Sequence, residues 1–165
     1  MNELFGIKPV ADMTDHRILA SLQRDARMSV RELGRRVAMS APAVARRLRR
    51  LEEEGAIRAY PAEVDPAALG FTLSAFITVT TRSSSAGGRF RDAVNEMPQV
   101  IECHRLTGER SYLLRVVATS AEDLEDLIDA LTVYGNPVTS IVLSSPISRR
   151  PIEPPQGDGQ GRTTF

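Results

Sequence analysis

The sequence predicts an α+β protein in which a short helical domain precedes a ferredoxin-like domain. Two observations support this fold class. In residues 14–55, apolar side chains recur at helical spacing in three short segments. In residues 71–143, segments rich in β-branched residues alternate with amphipathic segments in the order βαββαβ. That order is typical of a four-stranded antiparallel sheet that carries both helices on one face.

The first two helices are predicted from their apolar stripes and their caps. Residues 14–25 form the first helix, with Thr14 as its N-cap. Residues 30–38 form the second helix, and Ser29 is placed to cap it. Glu32 follows three residues after Ser29, which is the spacing of a capping box.

The third helix, residues 40–55, is the most informative stretch of the chain. Ser40 is a suitable N-cap, Pro42 lies in the first turn, and Gly55 suits the left-handed end of a helix. Its apolar stripe consists of Val44, Leu48 and Leu51. Because only two residues join it to the second helix, the pair indicates a helix-turn-helix, whose second helix enters a DNA major groove.

The third helix carries four arginines away from its apolar stripe. Such a run is usually a solvated face, and the helix-turn-helix context is what favours DNA. Ala41, Ala43 and either Arg46 or Arg47 are expected to approach base edges, although small residues also suit close helix packing. Ser40, at the start of the helix, is assigned to the DNA-binding surface with them. Arg49 and Arg50 are expected to meet phosphates or the acidic residues 52–54. Arg35 and Arg36 either contact the DNA backbone or are solvated.

Charge is distributed unevenly along a chain whose formal net charge is zero. Residues 14–60 hold 11 arginines against 6 acidic residues, whereas residues 61–165 hold 9 arginines against 13 acidic residues. A basic front and an acidic rear indicate a DNA-binding domain joined to a domain with another task.

The chain is expected to divide into five segments. Residues 56–65 are predicted to be an extended connector, either a wing or a hinge strand, and residues 66–70 to turn the chain. The end of the chain is rich in Pro, Gly and Gln, which is typical of disorder. The predicted segments are a lead-in at 1–13, the DNA-binding domain at 14–60, a hinge at 61–70, the ferredoxin-like domain at 71–145 and a disordered tail at 146–165.

The ferredoxin-like domain is predicted element by element. Its strands are expected at 71–81, 100–106, 112–119 and 138–143, and its helices at 89–97 and 120–133. A loop is expected at 83–88 and a tight turn at 107–111. Because both helices cover one face of the sheet, the other face is left bare and apolar. Such a face predicts a partner, most simply a second copy of the chain.

Several kinds of chemistry are disfavoured by composition. Cys103 is the only cysteine, so no intramolecular disulfide forms, and we expect a small buried hydrophobic residue there. With His16 and His104 it cannot build a closed zinc site, and no metal, cofactor or enzyme activity is predicted. No stretch approaches the roughly 18 apolar residues of a membrane span, and a signal-peptide core is missing. A cytoplasmic protein without membrane contact is therefore expected.

Five pieces of the sequence carry a family resemblance. They are DHRILASLQRDARMSVRELGRRVAMS, VARRLRRLEEEGAIRAY, PAALG, PQVIECHRLTGERSYLLRV and IVL. In this order and spacing they resemble the Lrp/AsnC family of bacterial and archaeal transcription regulators, over residues 14–143. The resemblance implies a winged helix-turn-helix domain, a hinge strand and a ligand-sensing ferredoxin-like domain.

The resemblance also implies partners and a ligand site. Members of the family dimerise through their sheets, often assemble into tetramers or octamers, and bind palindromic promoter sites in double-stranded DNA. Many bind a small amino acid in a cleft between dimers, formed largely by the turn between the second and third strands. The corresponding residues here are Thr107, Gly108, Glu109, Arg110, Ser111 and Tyr112, with Thr139 on the last strand.

This sequence departs from the family pattern at Ser111. An acidic residue usually stands there, immediately before the tyrosine, and suits the α-amino group of the ligand. A hydroxyl accepts a hydrogen bond without supplying charge, and a charge-assisted bond is roughly twice as strong as a neutral one. Either Glu109 substitutes for the missing acid, or the ligand is not an ordinary α-amino acid.

Three functions are compatible with the sequence. The favoured one is a DNA-binding transcription regulator whose assembly or DNA geometry is biased by an amino acid or related metabolite. The second is an architectural DNA-bending protein without an effector, an alternative supported by Ser111. The third is a tetrapyrrole decarboxylase of the same two-domain architecture, disfavoured because such an enzyme needs no arginine-bearing recognition helix.

Overall fold

The computed structural model describes residues 12–81 and 84–153 of the chain. By its internal contacts the chain forms two units, one made of residues 12–62 with residues 147–153, the other of residues 63–146. Of the predicted lead-in and tail, residues 1–11 and 154–165 lie outside the described residues.

The first unit contains three helices: α1 (Met13–Arg24), α2 (Val30–Val37) and α3 (Ala41–Glu53). Their apolar stripes meet in a small core, as the predicted periodicity requires. Its buried apolar members are Ile18, Met28, Leu33, Val37, Val44 and Leu51. The helix-turn-helix is therefore present, with α3 as its second helix.

The caps of α1 and α2 differ in part from the prediction. Asp12, not Thr14, is the N-cap of α1, because its carboxylate accepts a hydrogen bond from the Thr14 amide at 2.6 Å. Ser29 caps α2 as predicted, accepting from the Glu32 amide at 3.2 Å. The Glu32 carboxylate does not complete the capping box by bonding back to Ser29. It instead pairs with Arg36 one turn later, at 3.1 Å.

The tight join between α2 and α3 depends on a glycine. A Cβ added to Gly34 would lie 2.6 Å from the carbonyl oxygen of Met39, so no other residue fits there without a shift. Ser40 occupies the N-cap position of α3, but its hydroxyl makes no capping bond. After α3, Gly55 adopts a φ of 71°, the left-handed conformation predicted for it.

No strand forms between α3 and the second unit in the described chain. Residues 56–65 contain neither the predicted wing strand nor a hinge strand, because none of them pairs with another strand. Tyr60 is instead tied to the end of α3, where its hydroxyl donates to Oε1 of Glu52 at 2.7 Å. The predicted turn is a short 3-10 helix, Pro66–Leu69, capped by Asp65.

The segment 147–153, part of the predicted tail, belongs to the first unit. The side-chain amide of Gln23 on α1 makes two hydrogen bonds to the backbone of Ile152. Gln23 Nε2 donates to the Ile152 carbonyl at 3.0 Å, and the Ile152 amide donates to Gln23 Oε1 at 2.7 Å. These bonds link one residue of the predicted tail to α1.

The second unit has the predicted βαββαβ order. Its elements are β1 (Leu73–Thr81), α4 (Ser84–Asn95), β2 (Val100–Arg105), β3 (Tyr112–Ala118), α5 (Ala121–Thr132) and β4 (Gly135–Ile141). The strands form one antiparallel sheet in the order β2-β3-β1-β4. This arrangement confirms the predicted fold class.

Two elements of the second unit begin earlier than predicted, and each contains a glycine that lies against another strand. Helix α4 starts at Ser84, so the loop expected at 83–88 is wrong for residues 84–88, and residue 83 lies outside the described residues. The glycine at position 87 leaves room for the Tyr112 hydroxyl, which would lie 3.0 Å from a Cβ there. Strand β4 starts at Gly135, where a Cβ would lie only 2.2 Å from the Thr80 carbonyl oxygen.

The core of the second unit lies between one face of the sheet and the two helices. Its buried members are Ala75, Ile77, Val79, Phe90, Val94, Tyr112, Leu114, Val116, Ala118, Leu124, Leu127 and Leu131. On the opposite face Phe76 and Val138 remain 40% and 42% exposed. The predicted bare face is therefore present, but it is mixed rather than apolar, since Phe76 pairs in register with Arg115 and Ser140.

The cysteine prediction is wrong. Cys103 lies on the edge strand β2 and is exposed, because this strand has a neighbour on one side only and most of its residues face solvent. No helix in the described part of the chain is long and apolar enough to cross a membrane.

Candidate DNA-binding and effector sites

One surface of the helix-turn-helix is basic and open. Arg46 and Arg49 on α3 are exposed, as are Arg35 and Arg36 on α2. Among the described residues, neither Arg46 nor Arg49 takes part in an ion pair, whereas Arg36 pairs with Glu32. Open guanidinium groups can pair with phosphates or with guanine edges.

The start of α3 is lined by small side chains. Ser40 is exposed, and Ala41 and Ala43 are half-buried. Because the Ser40 hydroxyl is not used as a helix cap, it can donate to or accept from a ligand. Small side chains also let a helix approach DNA closely enough for arginines one turn later to reach the base edges.

Arg47 and Arg50 lie on a different side of α3 and contact α1. Nη1 of Arg47 is 2.8 Å from Oδ1 of Asp15 and 2.7 Å from Oδ2 of Asp12. Nη2 of Arg50 binds the other carboxylate oxygen of Asp15. The expectation that Arg47 approaches base edges conflicts with this geometry, since its guanidinium is held between two carboxylates. Arg50 meets two acids, the buried Asp15 and, at 4.0 Å from its Nε, Glu54, which is one of the acidic residues 52–54 expected from the sequence.

The carboxylate cluster on α1 is the feature that sequence reasoning missed. Asp15 is 1% exposed and is the only buried charged residue in the described chain. The Thr14 amide, followed by the Arg47 guanidinium, holds the pKa of Asp12 below its usual value. The hydrogen bonds that Arg47 donates to Asp15 and then to Asp12 raise the pKa of Arg47. A usable signal existed, because Asp15 shares the inward stripe of Ile18 at i, i+3.

The turn between β2 and β3 is held to the end of β1. The backbone amide of Leu106 donates to the Ser111 carbonyl at 2.9 Å, and the Ser111 amide donates to the Val79 carbonyl at 3.0 Å. The Ser111 hydroxyl accepts from the amide and the hydroxyl of Thr81, at 3.1 and 3.2 Å. Gly108 takes a φ of 92° at the tip, which favours glycine.

The predicted effector residues separate into two groups. Thr107, Gly108, Glu109 and Arg110 are exposed on the turn, and Ser111 is half-buried beneath it. Tyr112 is only 5% exposed, its ring centroid is 4.5 Å from that of Phe90, and its hydroxyl donates to the Gly87 carbonyl at 3.3 Å. Its side chain therefore belongs to the core rather than to an open cleft, contrary to the prediction.

The remaining predicted effector residue is Thr139. It pairs in register with Ile77, which is fully buried under the helices, so both side chains lie on the helix-covered face of the sheet. Thr139 is half-buried there. Its position fits packing at the margin of the core.

Two parts of the chain match known protein families. Residues 12–58 match a winged helix-turn-helix DNA-binding family, and residues 74–152 match the Lrp/AsnC ligand binding domain. The chain is 35% identical to the transcriptional regulator LrpC of Bacillus subtilis over 133 residues, which is 81% of this chain and 92% of LrpC. It is 34% identical to LrpA of Mycobacterium tuberculosis over 141 residues, 84% of this chain and 94% of LrpA.

Solved structures agree with the sequence relatives. The structure of B. subtilis LrpC superposes with a TM-score of 0.79 at 34% identity, covering 84% of this chain and 99% of that one. A Neisseria meningitidis transcriptional regulator in complex with L-methionine superposes with a TM-score of 0.80 at 31% identity, covering 86% and 96%. The helix-turn-helix, the four-stranded sheet and these matches together place the chain in the Lrp/AsnC family of transcription regulators.

Proposed function

We propose that this regulator reads double-stranded DNA with α3 and that an amino acid or related metabolite modulates it through the β2–β3 turn. The observation that carries the DNA-binding half is the open pair Arg46 and Arg49, one turn apart on the second helix of the helix-turn-helix. Ser40, Ala41 and Ala43 precede them and allow close approach to the groove. Arg35 and Arg36 supply phosphate contacts from α2.

Arg46 is the arginine best placed for base recognition. It is nearer the start of α3 than Arg49, and the N-terminal part of a recognition helix points into the groove. Arginine to guanine O6 and N7 is the commonest specific contact and discriminates by about 1–3 kcal/mol. Arg49, further along the helix, is expected to meet a phosphate.

The experiment starts from a random pool of duplexes, from which the wild-type protein enriches its own site at fixed salt. Arg46→Ala is expected to lose roughly 5- to 150-fold in discrimination between the enriched duplex and a scrambled one, which is about 1–3 kcal/mol. Arg91→Ala removes the same charge from an exposed position on α4 and serves as the control. If Arg46→Ala discriminated between the enriched and the scrambled duplex as well as the wild type does, that result would contradict base recognition by Arg46.

The effector half of the proposal rests on the exposed turn and on relatives. The Neisseria regulator was solved with L-methionine, which makes methionine the first ligand to try. The Ser111 hydroxyl is already engaged by Thr81, so a ligand ammonium must be met by Glu109 or by backbone carbonyls. A ligand at 100 times its Kd stabilises the folded state by about 2.7 kcal/mol, which a melting curve detects.

The effector test is a melting-temperature screen with L-methionine followed by the other standard amino acids. A shift that disappears in Glu109→Gln but persists in Glu125→Gln, an exposed control on α5, would support ligand binding at the turn. A blank screen with DNA binding intact would favour the architectural alternative. That alternative draws its support from the Ser111 hydroxyl, which carries no charge and is already bonded.

Assembly and location complete the proposal. The bare sheet face with Phe76 and Val138 is expected to pair with a second copy, and dimers to assemble into tetramers or octamers on palindromic promoter sites. Sedimentation velocity with and without the enriched duplex measures this directly. A regulator of promoters is expected in the cytoplasm of a bacterium or archaeon, at the nucleoid. Regulation is proposed over catalysis because the named relatives are regulators.

A further inference from the structure

The four arginines of α3 form two pairs with different surroundings. Arg46 and Arg49 are three residues apart and exposed, and Arg47 and Arg50 are likewise three residues apart but contact α1. Residues three apart share a helix face, and successive residues are rotated by about 100°. The same helix thus presents one pair of guanidinium groups outward and directs the other toward a neighbouring helix.

Asp15 is the centre of the inward set of contacts. Its two carboxylate oxygens are divided between the two arginines, Oδ1 binding Arg47 and Oδ2 binding Arg50. Asp12 adds a second contact to Arg47 from the start of α1. Both oxygens of this 1% exposed carboxylate are bound by guanidinium groups, so its geometry is closely defined.

Two contacts on one face constrain α3 more than one contact would. The apolar stripe of α3 already packs on the core, and a single ion pair would add one fixed distance at the edge of that contact. Two ion pairs, one turn apart and ending on the same carboxylate, also restrict rotation of α3 about its axis. Because Arg46 and Arg49 are attached to that axis, their direction is set by the contacts of Arg47 and Arg50.

We propose that Asp15 is a positioning residue for DNA recognition. It keeps Arg47 and Arg50 off the DNA and orients α3 so that Arg46 reaches base edges. The inference rests on the proposed function and deepens it, since it assigns the arginines of one helix to separate tasks. Asp15 itself does not touch DNA.

The main variant is Asp15→Asn, which keeps the shape of the side chain and removes its charge. In this variant Arg47 and Arg50 are released and are expected to contact phosphates. Each added contact makes the slope of log K against log salt concentration more negative by about 0.9. Discrimination between the enriched and the scrambled duplex is expected to fall about tenfold, the scale of one well-placed base contact. Asp92→Asn, an exposed residue on α4, controls for the change in net charge.

These readouts separate positioning from a merely structural role. A structural role lowers the melting temperature but leaves the salt slope and discrimination of the folded protein unchanged, and that result would overturn the inference. The triple variant Asp15→Asn with Arg47→Gln and Arg50→Gln is expected to restore the wild-type salt slope while discrimination stays low. A triple variant with restored discrimination would also overturn it.

A second variant covers the case in which Asp15→Asn does not fold. Arg50→Gln removes an arginine that is 47% exposed at its side chain. Under the proposal its salt slope equals that of the wild type and its discrimination falls. A slope reduced by about 0.9 would identify Arg50 as a direct phosphate contact and overturn the inference. If the wild type enriches no duplex at all, the proposed function fails and the inference falls with it.

Discussion

The two units of this protein are stabilised in different ways. The first unit has six buried apolar side chains and one buried carboxylate bound by two arginines. Among its described residues, the second has thirteen buried apolar side chains, including Phe90 and Tyr112, and no buried charge. A small unit exposes proportionally more surface, so polar contacts and caps must supply more of its structural definition. The stability of the first unit is therefore expected to fall when its polar residues are substituted. The stability of the second unit is expected to fall when core side chains are truncated to leave cavities.

The largest effect is expected from a cavity in the second unit. Leu114 is fully buried, and Leu114→Ala should lower the free energy of unfolding by about 2–5 kcal/mol. Val133→Ala, at a position that is 74% exposed, is the matched control and should change it little. Two of the three tyrosines, Tyr112 and Tyr134, lie in this unit. Urea unfolding followed by tyrosine fluorescence in a Tyr60→Phe background therefore reports on it alone.

A glycine substitution tests the helix-turn-helix join. In Gly34→Ala the new methyl group would lie 2.6 Å from the Met39 carbonyl oxygen, and overpacking of this kind costs about 1–3 kcal/mol. Gly88→Ala in α4 has nothing within 4 Å of the new Cβ and should stabilise the protein by about 0.5–1 kcal/mol. Thermal unfolding followed by circular dichroism measures both. Equal effects from the two variants would contradict the structure of the turn.

A smaller effect distinguishes the two serine caps of the first unit. Ser29 bonds the Glu32 amide, so Ser29→Ala should cost about 1 kcal/mol. Ser40 makes no capping bond, so Ser40→Ala should cost less in stability. If Ser40 contacts DNA as proposed, the second variant weakens DNA binding instead. Paired measurements of unfolding and of affinity for the enriched duplex decide between these roles.

The smallest effect is expected at high pH. Partial burial, followed by its hydrogen bond to Glu52, raises the pKa of Tyr60 to about 12. The pKa of an unfolded tyrosine is about 10, so this contribution to stability is fully present below pH 10 and is lost as the pH rises toward 12. Tyr60→Phe should remove that part of the alkaline loss. An identical pH profile for the variant would show that the contact has no influence on stability.

Much of the fold could be predicted, because the spacing of apolar residues and the order of the helices and strands can be read from short stretches of sequence. The order of the strands and the stripes of α1 and α5 depend on residues near each other in the sequence. The boundaries of α4 and β4 could not be predicted in this way. Gly87 and Gly135 lie close to side-chain and backbone atoms of strands that are distant in the sequence, so the need for glycine there is not a local property. The exposure of Cys103 likewise follows from the place of β2 at a sheet edge, which strand propensity does not reveal.

The candidate sites show the same division. The second helix of the helix-turn-helix could be recognised from the spacing of its apolar residues and its arginines. The sequence could not show that two of those arginines face outward and two contact α1. That separation depends on Asp12 and Asp15, which are more than 30 residues away in sequence. At the turn, Tyr112 was assigned to the ligand by resemblance, whereas packing against Phe90 places it in the core.

The hydrogen bonds between Gln23 and Ile152 have a topological consequence. Residues 63–146 are an insertion in the DNA-binding unit, because the chain leaves that unit after residue 62 and rejoins it from residue 147. A fragment that stops at residue 62 therefore lacks the backbone that pairs with Gln23. A minimal DNA-binding protein should instead be a single chain in which a designed linker joins residue 62 to residue 147.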